Sequence, residues 1–212
     1  MKKFITSVPF QSTINPVVYQ PVNGAELSYD KAHMLPILNV LNNNAEKGEE
    51  IEVIFLIGDN EDIKRNYETV KEQLAKLAEE KAFRYTIREI SYRDSDDISV
   101  MLEIYGKLIK CFEDNDELYT CITFGTKPVP LVQLMALRYA YHAKENIFIG
   151  SIVYGKAHGK KAGNADDKAD IYDMTSLFYI DELSEKFCRL GIEEPEKKIS
   201  AIIFGSEGEN DE

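Results

Sequence analysis

The sequence predicts an α/β protein, a Rossmann-like three-layer sandwich with a mainly parallel sheet of about six strands. Apolar or alternating runs of strand length recur along the chain, and amphipathic helical patterns separate them. One run, IEVIFLI at 51–57, is apolar at nearly every position, which is typical of a strand in a parallel sheet with helices on both faces. Strands that alternate with helices in this way predict βαβ units with right-handed crossovers.

The first half of the chain contains five predicted elements. They are strand 3–7, an extended piece at 17–19, helix 28–44, strand 51–57 and helix 60–80. Ser28 is the expected N-cap of the first helix, although Pro36 should kink this helix or delay its start. Asp59 or Asn60 is expected to cap the long second helix.

The second half continues the alternation. Its predicted elements are strand 83–90, helix 98–112, strand 119–123, helix 128–142, strand 146–154, and an extended piece and final helix within 171–190. Thr175 or Ser176 is the expected N-cap of that final helix. The apolar hexad at 199–204 is expected to add an edge strand or to pair with another subunit. The predicted core includes Ile54, Phe55, Leu56, Ile122, Ile149 and Ile152.

Length and composition favour one domain with an extension. The 212 residues, 44% of them hydrophobic, are enough to bury a full core. We assign residues 1–190 to the Rossmann-like domain and residues 191–212 to a C-terminal extension. Its last eight residues, GSEGENDE, are expected to be disordered because they have no apolar surface to bury. The chain has no run of the ~18 apolar residues that a membrane span requires and no signal-peptide core, so we expect a cytoplasmic protein without membrane contact.

Charge and motif content restrict the classes of ligand and reaction that we expect. The net charge of −12 predicts that duplex DNA is not a partner, because general DNA binding requires a basic face, whereas a small anionic ligand remains compatible with it. The sequence contains neither a GxxxxGK[ST] phosphate loop nor a GxGxxG after the first strand, which removes support for ATP hydrolysis of that kind and for ordinary dinucleotide binding. We expect no cofactor.

Neither cysteine nor histidine spacing predicts a metal site. Cys111, Cys121 and Cys188 are widely separated, and we interpret them as reduced packing residues. The three histidines, His33, His142 and His158, are scattered, and His158 lies in a lysine-rich loop where we expect it to be solvated. We therefore expect no bound metal.

The segment 118–142 places a strand, a glycine turn and a helix in immediate succession. Gly125 interrupts the strand, Pro128 and Pro130 fit only the first turn of a helix, and Lys127 lies in the turn. Ligands of open α/β sheets bind beyond the carboxyl ends of the strands, where helix N-termini attract anions. The turn is thus the predicted site. Taken alone, the segment favours an ordinary connection with Lys127 as a solvated charge.

The sequence of this turn, TFGTKPVP, resembles the T-x-G-x-[RK]-x-x-P turn of CARF domains, the CRISPR-associated Rossmann folds that sense cyclic oligoadenylates. Thr123, Gly125, Lys127 and Pro130 match the pattern. Many members have an acidic residue two positions before the threonine, where this chain has Cys121, so no role of that carboxylate is carried over.

Three further segments are similar to the family. Tyr19 resembles a tyrosine in the extended segment before the first helix, residues 153–155 are similar to a Tyr-Gly turn beside the ligand, and residues 171–183 are similar to the D-[LM]-T segment that leads into the last helix. The resemblance covers about residues 3–190.

The resemblance implies an antiviral nucleotide-binding protein that recognises cyclic oligoadenylate, the second messenger of type III CRISPR defence. It also implies a two-fold homodimer, because a ring-shaped ligand straddles two copies of the same pocket. Together with the loop after the first strand, the expected ligand-binding residues are Ser7, Pro9, Gln11, Phe124, Gly125, Thr126, Lys127, Tyr154, Gly155 and Lys156. Lys156, Lys160 and Lys161 are expected to form a mobile basic flap.

A stand-alone sensor of this family can have one of two functions. The sequence has no R-x4-6-H motif of a HEPN ribonuclease, since Arg138 and His142 have one residue too few between them. We expect a metal-independent ring nuclease, with Lys127, Ser7 and Thr126 as catalytic candidates that orient the attacking ribose hydroxyl and stabilise the phosphorane charge. The alternative is a non-catalytic receptor or sequestering module that acts through a separate partner. A third class is an interaction protein without a small ligand.

Overall fold

The computed structural model describes residues 1–12, 14–22, 26–157 and 168–205 of the chain. Within them the strands are β1 (Lys2–Ser7), β2 (Val18–Pro21), β3 (Glu50–Gly58), β4 (Arg84–Tyr92), β5 (Glu117–Cys121), β6 (Phe148–Ala157) and β7 (Lys168–Asp173). The helices are α1 (Ile37–Asn44), α2 (Glu61–Lys81), α3 (Ile98–Ile109), α4 (Pro128–Ala143), α5 (Thr175–Arg189) and α6 (Pro195–Phe204). The predictions for His158, for Lys160 and Lys161 and for the end of the acidic tail lie outside the described residues.

The described strands form one sheet in the order β2-β7-β6-β5-β1-β3-β4. The five strands from β6 to β4 pair in parallel, β7 is antiparallel to β6, and β2 is parallel to β7. Helix α1 packs with α2 and α3 packs with α4. Right-handed crossovers that run in opposite directions from β1 place these two pairs on opposite faces. The predicted three-layer α/β fold is confirmed, with seven strands in place of about six.

The central elements follow directly from their sequence. β3 is buried from Ile51 to Gly58 because it pairs on both edges and has helices on both faces. Asn60 caps α2 as predicted, since its side-chain oxygen accepts the N–H groups of Asp62 at 2.9 Å and Ile63 at 3.2 Å. These two adjacent elements begin and end within one or two residues of the predicted positions.

Pro36 delays the start of the first helix, one of the two effects expected of it, so the helix is shorter than 28–44 and Ser28 is not its N-cap. Helix α1 begins at Ile37, directly after Pro36. Proline has no N–H to donate and disfavours a helical conformation in the residue before it, so the helix cannot extend upstream. The segment before Pro36 instead forms a bridge, in which Val17 and His33 exchange backbone hydrogen bonds of 3.1 and 3.0 Å.

Two predictions near the C-terminus are wrong. The hexad at 199–204 belongs to helix α6 and is not a strand, because Pro195 starts the helix and Ile199, Ile202 and Ile203 recur at helical spacing. Helix α5 follows Met174 without a side-chain cap, so neither Thr175 nor Ser176 is its N-cap. The chain divides into two compact units, Met1–Asp173 and Met174–Glu212.

Two residues predicted to be buried are not. Ile122 follows the end of β5, which stops two residues earlier than predicted, and its side chain is partly exposed. Cys188 is exposed on α5, while Cys111 and Cys121 are buried, and all three are free thiols. The other five predicted core residues are buried. Across the described ranges, no helix has both the length and the apolar character needed to cross a membrane.

Candidate functional site

The chain reverses its course across the sheet between β1 and β5. From β1 it runs through α1 to β3 and through α2 to β4, and α3 then returns it to β5 on the other side of β1. In open α/β sheets a crevice forms beyond the carboxyl ends of the two strands at which the direction changes. Here these strands end at Ser7 and Cys121, so the crevice lies between the loops that follow them.

Ser7 and Gly125 are in contact at this point. Gly125 has φ +101°, a backbone conformation that other residues rarely adopt. A Cβ on Gly125 would lie 3.1 Å from Ser7 Oγ and 3.1 Å from Val129 Cβ. Glycine is thus required for two reasons, the positive φ and the close approach of the turn to β1. The structure brings together these two predicted site residues, which are 118 positions apart in the sequence.

Two buried hydroxyl groups beside this contact have no hydrogen-bond partner within the described residues: Ser7 Oγ and Thr126 Oγ1. A buried hydroxyl without a partner is destabilising by about 1–3 kcal/mol, and native proteins rarely leave one unsatisfied. Both residues adjoin Gly125, Ser7 through the packing contact and Thr126 through the chain. Two such groups at one place mark the turn as a functional candidate.

The N-terminus of α4 offers fewer donors than an ordinary helix. Pro128 and Pro130 have no N–H, and the N–H of Val129 donates to the carbonyl of Thr126 at 2.9 Å. The N–H groups of residues 125–127 make no backbone hydrogen bond in the described part of the chain. An anion here would therefore be bound by the turn itself and by the positive end of the helix dipole.

Lys127 is the exposed cation of the turn. It precedes Pro128 with helical dihedral angles, and its side chain is exposed. Ser7 and Thr126 differ in this respect because their hydroxyl oxygens are buried. Of the three predicted catalytic residues, Lys127 is the one with an exposed side chain.

The predicted residues on β6 separate onto two faces of the sheet. Side chains alternate along a strand, and the register pairs Thr120 with Ile5 on one side and Ile152 on the other. Ser7 and Tyr154 therefore lie on the face that α3 and α4 cover. Tyr154 is exposed, with its ring centroid 6.4 Å from that of Tyr172. Lys156 is also exposed and follows on the same face.

Gly155 lies on the opposite face and is buried. A Cβ there would lie 2.4 Å from Pro36 Cγ and 2.8 Å from Tyr19 Cε1, so glycine allows the segment before α1 to pack on β6. The N–H of Gly155 donates to Thr123 Oγ1 at 2.8 Å. Tyr19 is buried too, its hydroxyl donates to the Met34 carbonyl, and burial raises the pKa of its phenol. These residues support the turn from the face of the sheet opposite to Ser7.

The loop after β1 extends away from the turn. The side-chain amide of Asn66 on α2 donates to the carbonyls of Pro9 at 2.9 Å and Gln11 at 3.0 Å. Pro9 is buried, whereas the side chain of Gln11 is exposed. Phe124 is partly buried against the hydrophobic core. The described contacts thus join Ser7 to the turn but hold Pro9 and Gln11 against α2.

Sequence reasoning missed two buried amides that position the site. Besides Asn66, Gln133 on α4 donates from Nε2 to Thr120 Oγ1 at 3.2 Å and to the Cys121 carbonyl at 3.4 Å. These bonds attach α4 to the end of β5 and so hold the turn between them. The sequence contained a signal for the role of Gln133: it is an uncharged polar residue among the apolar residues of the buried stripe of α4.

A cavity of about 500 Å³ lies away from the turn, at the carboxyl ends of β3 and β4. Its charged lining residues are Asp59, Lys64, Arg93 and Glu103. Two acids and two bases leave no net charge to favour an anion. The turn between β5 and α4 is the better candidate for an anionic ligand.

No protein-family model matches the chain, and no curated protein matches it. In the described ranges, no three His, Cys, Asp or Glu side chains are grouped so that they could hold a metal ion. The geometry at the switch point and the resemblance of the turn are therefore the grounds for a functional proposal.

Proposed function

We propose that this protein binds a cyclic oligoadenylate at the carboxyl edge of its sheet, between the ends of β1 and β5. One observation carries the proposal: the turn that resembles the CARF ligand turn lies at the topological switch point and packs on the last residue of β1. This is the position at which open α/β sheets bind nucleotides. A homodimer and a role in antiviral defence belong to the same proposal.

The chemistry of the turn suits a phosphodiester. Lys127 supplies a positive charge, and the N–H groups of Gly125 and Thr126 supply donors beside the positive end of the α4 dipole. These features act locally, so they are compatible with the net charge of −12. Tyr154, exposed on the same face as Ser7, offers a ring on which an adenine can stack.

Cleavage of the ring demands more than binding. The ribose 2′-oxygen would attack the adjacent phosphorus, the P–O5′ bond would break, and the products would be a 2′,3′-cyclic phosphate and a 5′-hydroxyl. Lys127 is placed to stabilise the developing charge. The hydroxyls of Ser7 and Thr126 are buried, so they reach a phosphate only if the turn moves. The geometry favours a receptor over a nuclease, and cleavage is a separate experimental question.

The binding test compares two lysines. Lys127→Ala should weaken binding of cyclic tetra- or hexaadenylate roughly ten- to more than a hundred-fold, because a charge-assisted hydrogen bond contributes about 1.5–3 kcal/mol. Titration calorimetry measures the change. Lys110→Ala is the matched control, since Lys110 is exposed at the C-terminal end of α3. Equal weakening by both substitutions would show that only long-range charge matters, and no binding by the unmodified protein would leave an interaction protein without a small ligand.

The cleavage test uses the same ligands in EDTA. Linear products that carry a 2′,3′-cyclic phosphate, followed by chromatography, would establish a metal-independent ring nuclease. Tight binding without products over several hours would leave the receptor. Cleavage that Lys127→Ala does not alter would show that the phosphate lies elsewhere.

A further inference from the structure

Phe10 is an exposed aromatic residue in the loop that follows β1. Its side chain is 42% exposed, whereas Val8 and Pro9 directly before it are buried. A single exposed aromatic side chain is ordinary on a protein surface. Phe10 differs from an ordinary surface residue in the way in which the loop around it is held.

Hydrogen bonds fix the backbone of this loop on both sides of Phe10. The side-chain amide of Asn66, which is buried on α2, donates to the carbonyls of the two residues that flank Phe10, at 2.9 and 3.0 Å. The guanidinium of Arg65 donates to the carbonyl of Ser12 at 2.6 Å. A ligand that binds to a residue on a fixed backbone loses little free energy in ordering the loop. The fold thus presents the ring of Phe10 to solvent from a backbone that is already ordered.

Phe10 and Tyr154 lie on opposite sides of the turn between β5 and α4. In the sheet β5 lies between β6 and β1, and Tyr154 on β6 is level with Ile122, the first residue after β5. Phe10 comes three residues after the end of β1. Neighbouring strands are about 4.8 Å apart, so β6 and β1 end roughly 10 Å apart with the turn between them. Along the carboxyl edge the order is therefore Tyr154, then Lys127, then Phe10, an aromatic residue on each side of a cation.

This order matches the chemistry of one dinucleotide step, in which a phosphodiester joins two nucleosides. Unstacked bases are bound by aromatic side chains, because every base has a π-face. We propose that Phe10 and Tyr154 are the two base-stacking residues of the site and that the site recognises a single dinucleotide step. The phosphate would lie at Lys127 with one base on each side. This inference rests on the proposed function, and it names the unit of the ligand that the site binds.

The fold also directs the two bases apart. The loop with Phe10 is bound to α2, whereas Tyr154 lies on the face that α3 and α4 cover. Bases that stack on these two rings are thus splayed and do not stack on each other. Contact through two neutral rings and one phosphate requires a single cation, which suits a chain with a net charge of −12 better than contacts to many phosphates do.

The first experiment measures the binding of cyclic tetraadenylate by titration calorimetry. Phe10→Ala should weaken binding roughly five- to a hundred-fold, the effect of losing one stacked base. Phe10→Tyr keeps a ring and should bind almost as tightly as the unmodified protein. Phe148→Ala is the matched control, since Phe148 is 56% exposed at the start of β6, on the amino edge of the sheet, and it should leave binding unchanged. Circular dichroism verifies that each variant is folded.

The second experiment compares two linear ligands by NMR titration. Adenylyl-3′,5′-adenosine and adenosine 3′-methyl phosphate have the same single negative charge, but the first has two bases and the second has one. The unmodified protein should bind the two-base ligand at least about fivefold more tightly, the lower limit expected for one stacked base. Phe10→Ala should abolish this difference, because the second base then has no ring to stack on. A general structural defect would weaken both ligands alike.

The outcomes separate this inference from the proposed function. Undiminished binding of cyclic tetraadenylate by Phe10→Ala, or equal weakening by Phe148→Ala, would overturn the role of Phe10. Equal affinity of the unmodified protein for the two linear ligands would overturn the dinucleotide unit. Each of these results would leave the binding of cyclic oligoadenylate standing. No binding of cyclic tetra- or hexaadenylate by the unmodified protein would contradict the proposed function itself, and this inference with it.

Discussion

Gly125 determines the shape of the turn more than any residue with a functional group. Its φ of +101° excludes most other residues, and a Cβ at this position would lie only 3.1 Å from Ser7 Oγ. The buried hydroxyl of Ser7 owes its enclosed position to this glycine. In the proposed site the backbone of the turn, and not the buried hydroxyl of Ser7, would therefore meet a ligand first.

Substitution of Gly125 tests this interpretation. Gly125→Ala should reduce the free energy of unfolding by roughly 1–3 kcal/mol, because alanine is strained at positive φ and the added carbon crowds β1. Urea denaturation measures the change. Gly106→Ala is the control, since nothing lies within 4 Å of an added Cβ in α3, and it should be neutral or stabilising by up to about 1 kcal/mol. Equal stability of both variants would contradict the geometry of the turn.

His33 is a buried titratable residue outside the turn. Its Nε2 lies 2.6 Å from Asn39 Oδ1, and its Nδ1 lies 2.7 Å from the Lys31 carbonyl. The amide nitrogen of Asn39 donates to the Leu27 carbonyl at 2.7 Å, so the oxygen of Asn39 faces the ring. Burial lowers the pKa of His33, and the two hydrogen-bond acceptors offset this only in part.

The lowered pKa predicts a loss of stability in acid. Above about pH 6.5 the imidazole of His33 is neutral in both the folded and the unfolded protein. Below that pH the unfolded chain binds a proton before the folded one, so the free energy of unfolding falls until the folded pKa is reached. The loss is about 1.4 kcal/mol for each unit by which the pKa is lowered. Urea denaturation at pH 8 and pH 5 should show a smaller pH dependence in His33→Gln than in the unmodified protein. An identical dependence would mean that His33 does not titrate between them.

Among the elements, α2 depends on one side chain for its start. Asn60 accepts two N–H groups of the first turn, and Glu61 and Asp62 place negative charge at the positive end of the helix dipole. The helix spans 21 residues and carries Asn66, which holds the loop after β1. Its first turn therefore influences stability beyond the helix itself.

Removal of this cap should be measurable. Asn60→Ala should lower the free energy of unfolding by about 0.5–2 kcal/mol, because two N–H groups lose their acceptor. Asn60→Asp keeps an acceptor and should preserve most of the stability. If both substitutions reduce the urea midpoint equally, the amide has a role other than capping.

At the scale of the whole molecule, the two edges of the sheet have different roles. The carboxyl edge contains the turn, whereas the amino edge contains a buried ionic cluster. Lys3 Nζ lies 2.8 Å from Asp116 Oδ2 and 3.6 Å from Glu52 Oε2, and Arg88 Nε lies 2.5 Å from Glu52 Oε1. Lys3 links β1, β3 and the start of β5 through these contacts.

This cluster should matter for stability and not for ligand binding. Lys3→Met should lower the free energy of unfolding by roughly 3–5 kcal/mol, because it removes the buried cation that Asp116 and Glu52 share and leaves them only the half-exposed Met1 ammonium and Arg88. Lys64→Met is the control, since Lys64 pairs with Glu61 on the exposed surface and should leave stability almost unchanged. Chemical denaturation gives both values. An effect of Lys3→Met on the ligand dissociation constant in the folded protein would argue against the separation of the two edges.

The sequence by itself determined the local elements of this protein. The apolar run of β3, the capped start of α2 and the strand-turn-helix order around Gly125 are all readable from neighbouring residues. Periodicity, N-cap chemistry and the backbone limits of proline act over a few residues, which is why these predictions needed no knowledge of the fold. The same local rules, applied more strictly to Pro36 and to the spacing of residues 199–203, would have shortened α1 and made α6 a helix.

Only the tertiary structure decided which strands are neighbours. It placed β5 beside β1, so that Ser7 touches Gly125, and it added an antiparallel arm of β7 and β2. It also separated Tyr154 from Gly155 onto opposite faces and held Pro9 and Gln11 against α2 through Asn66. Strand order and register depend on contacts between residues far apart in the chain, and a shift of one residue would move every side chain of a strand to the other face. The local pattern of a strand is the same whichever neighbour it has, so it cannot contain this information.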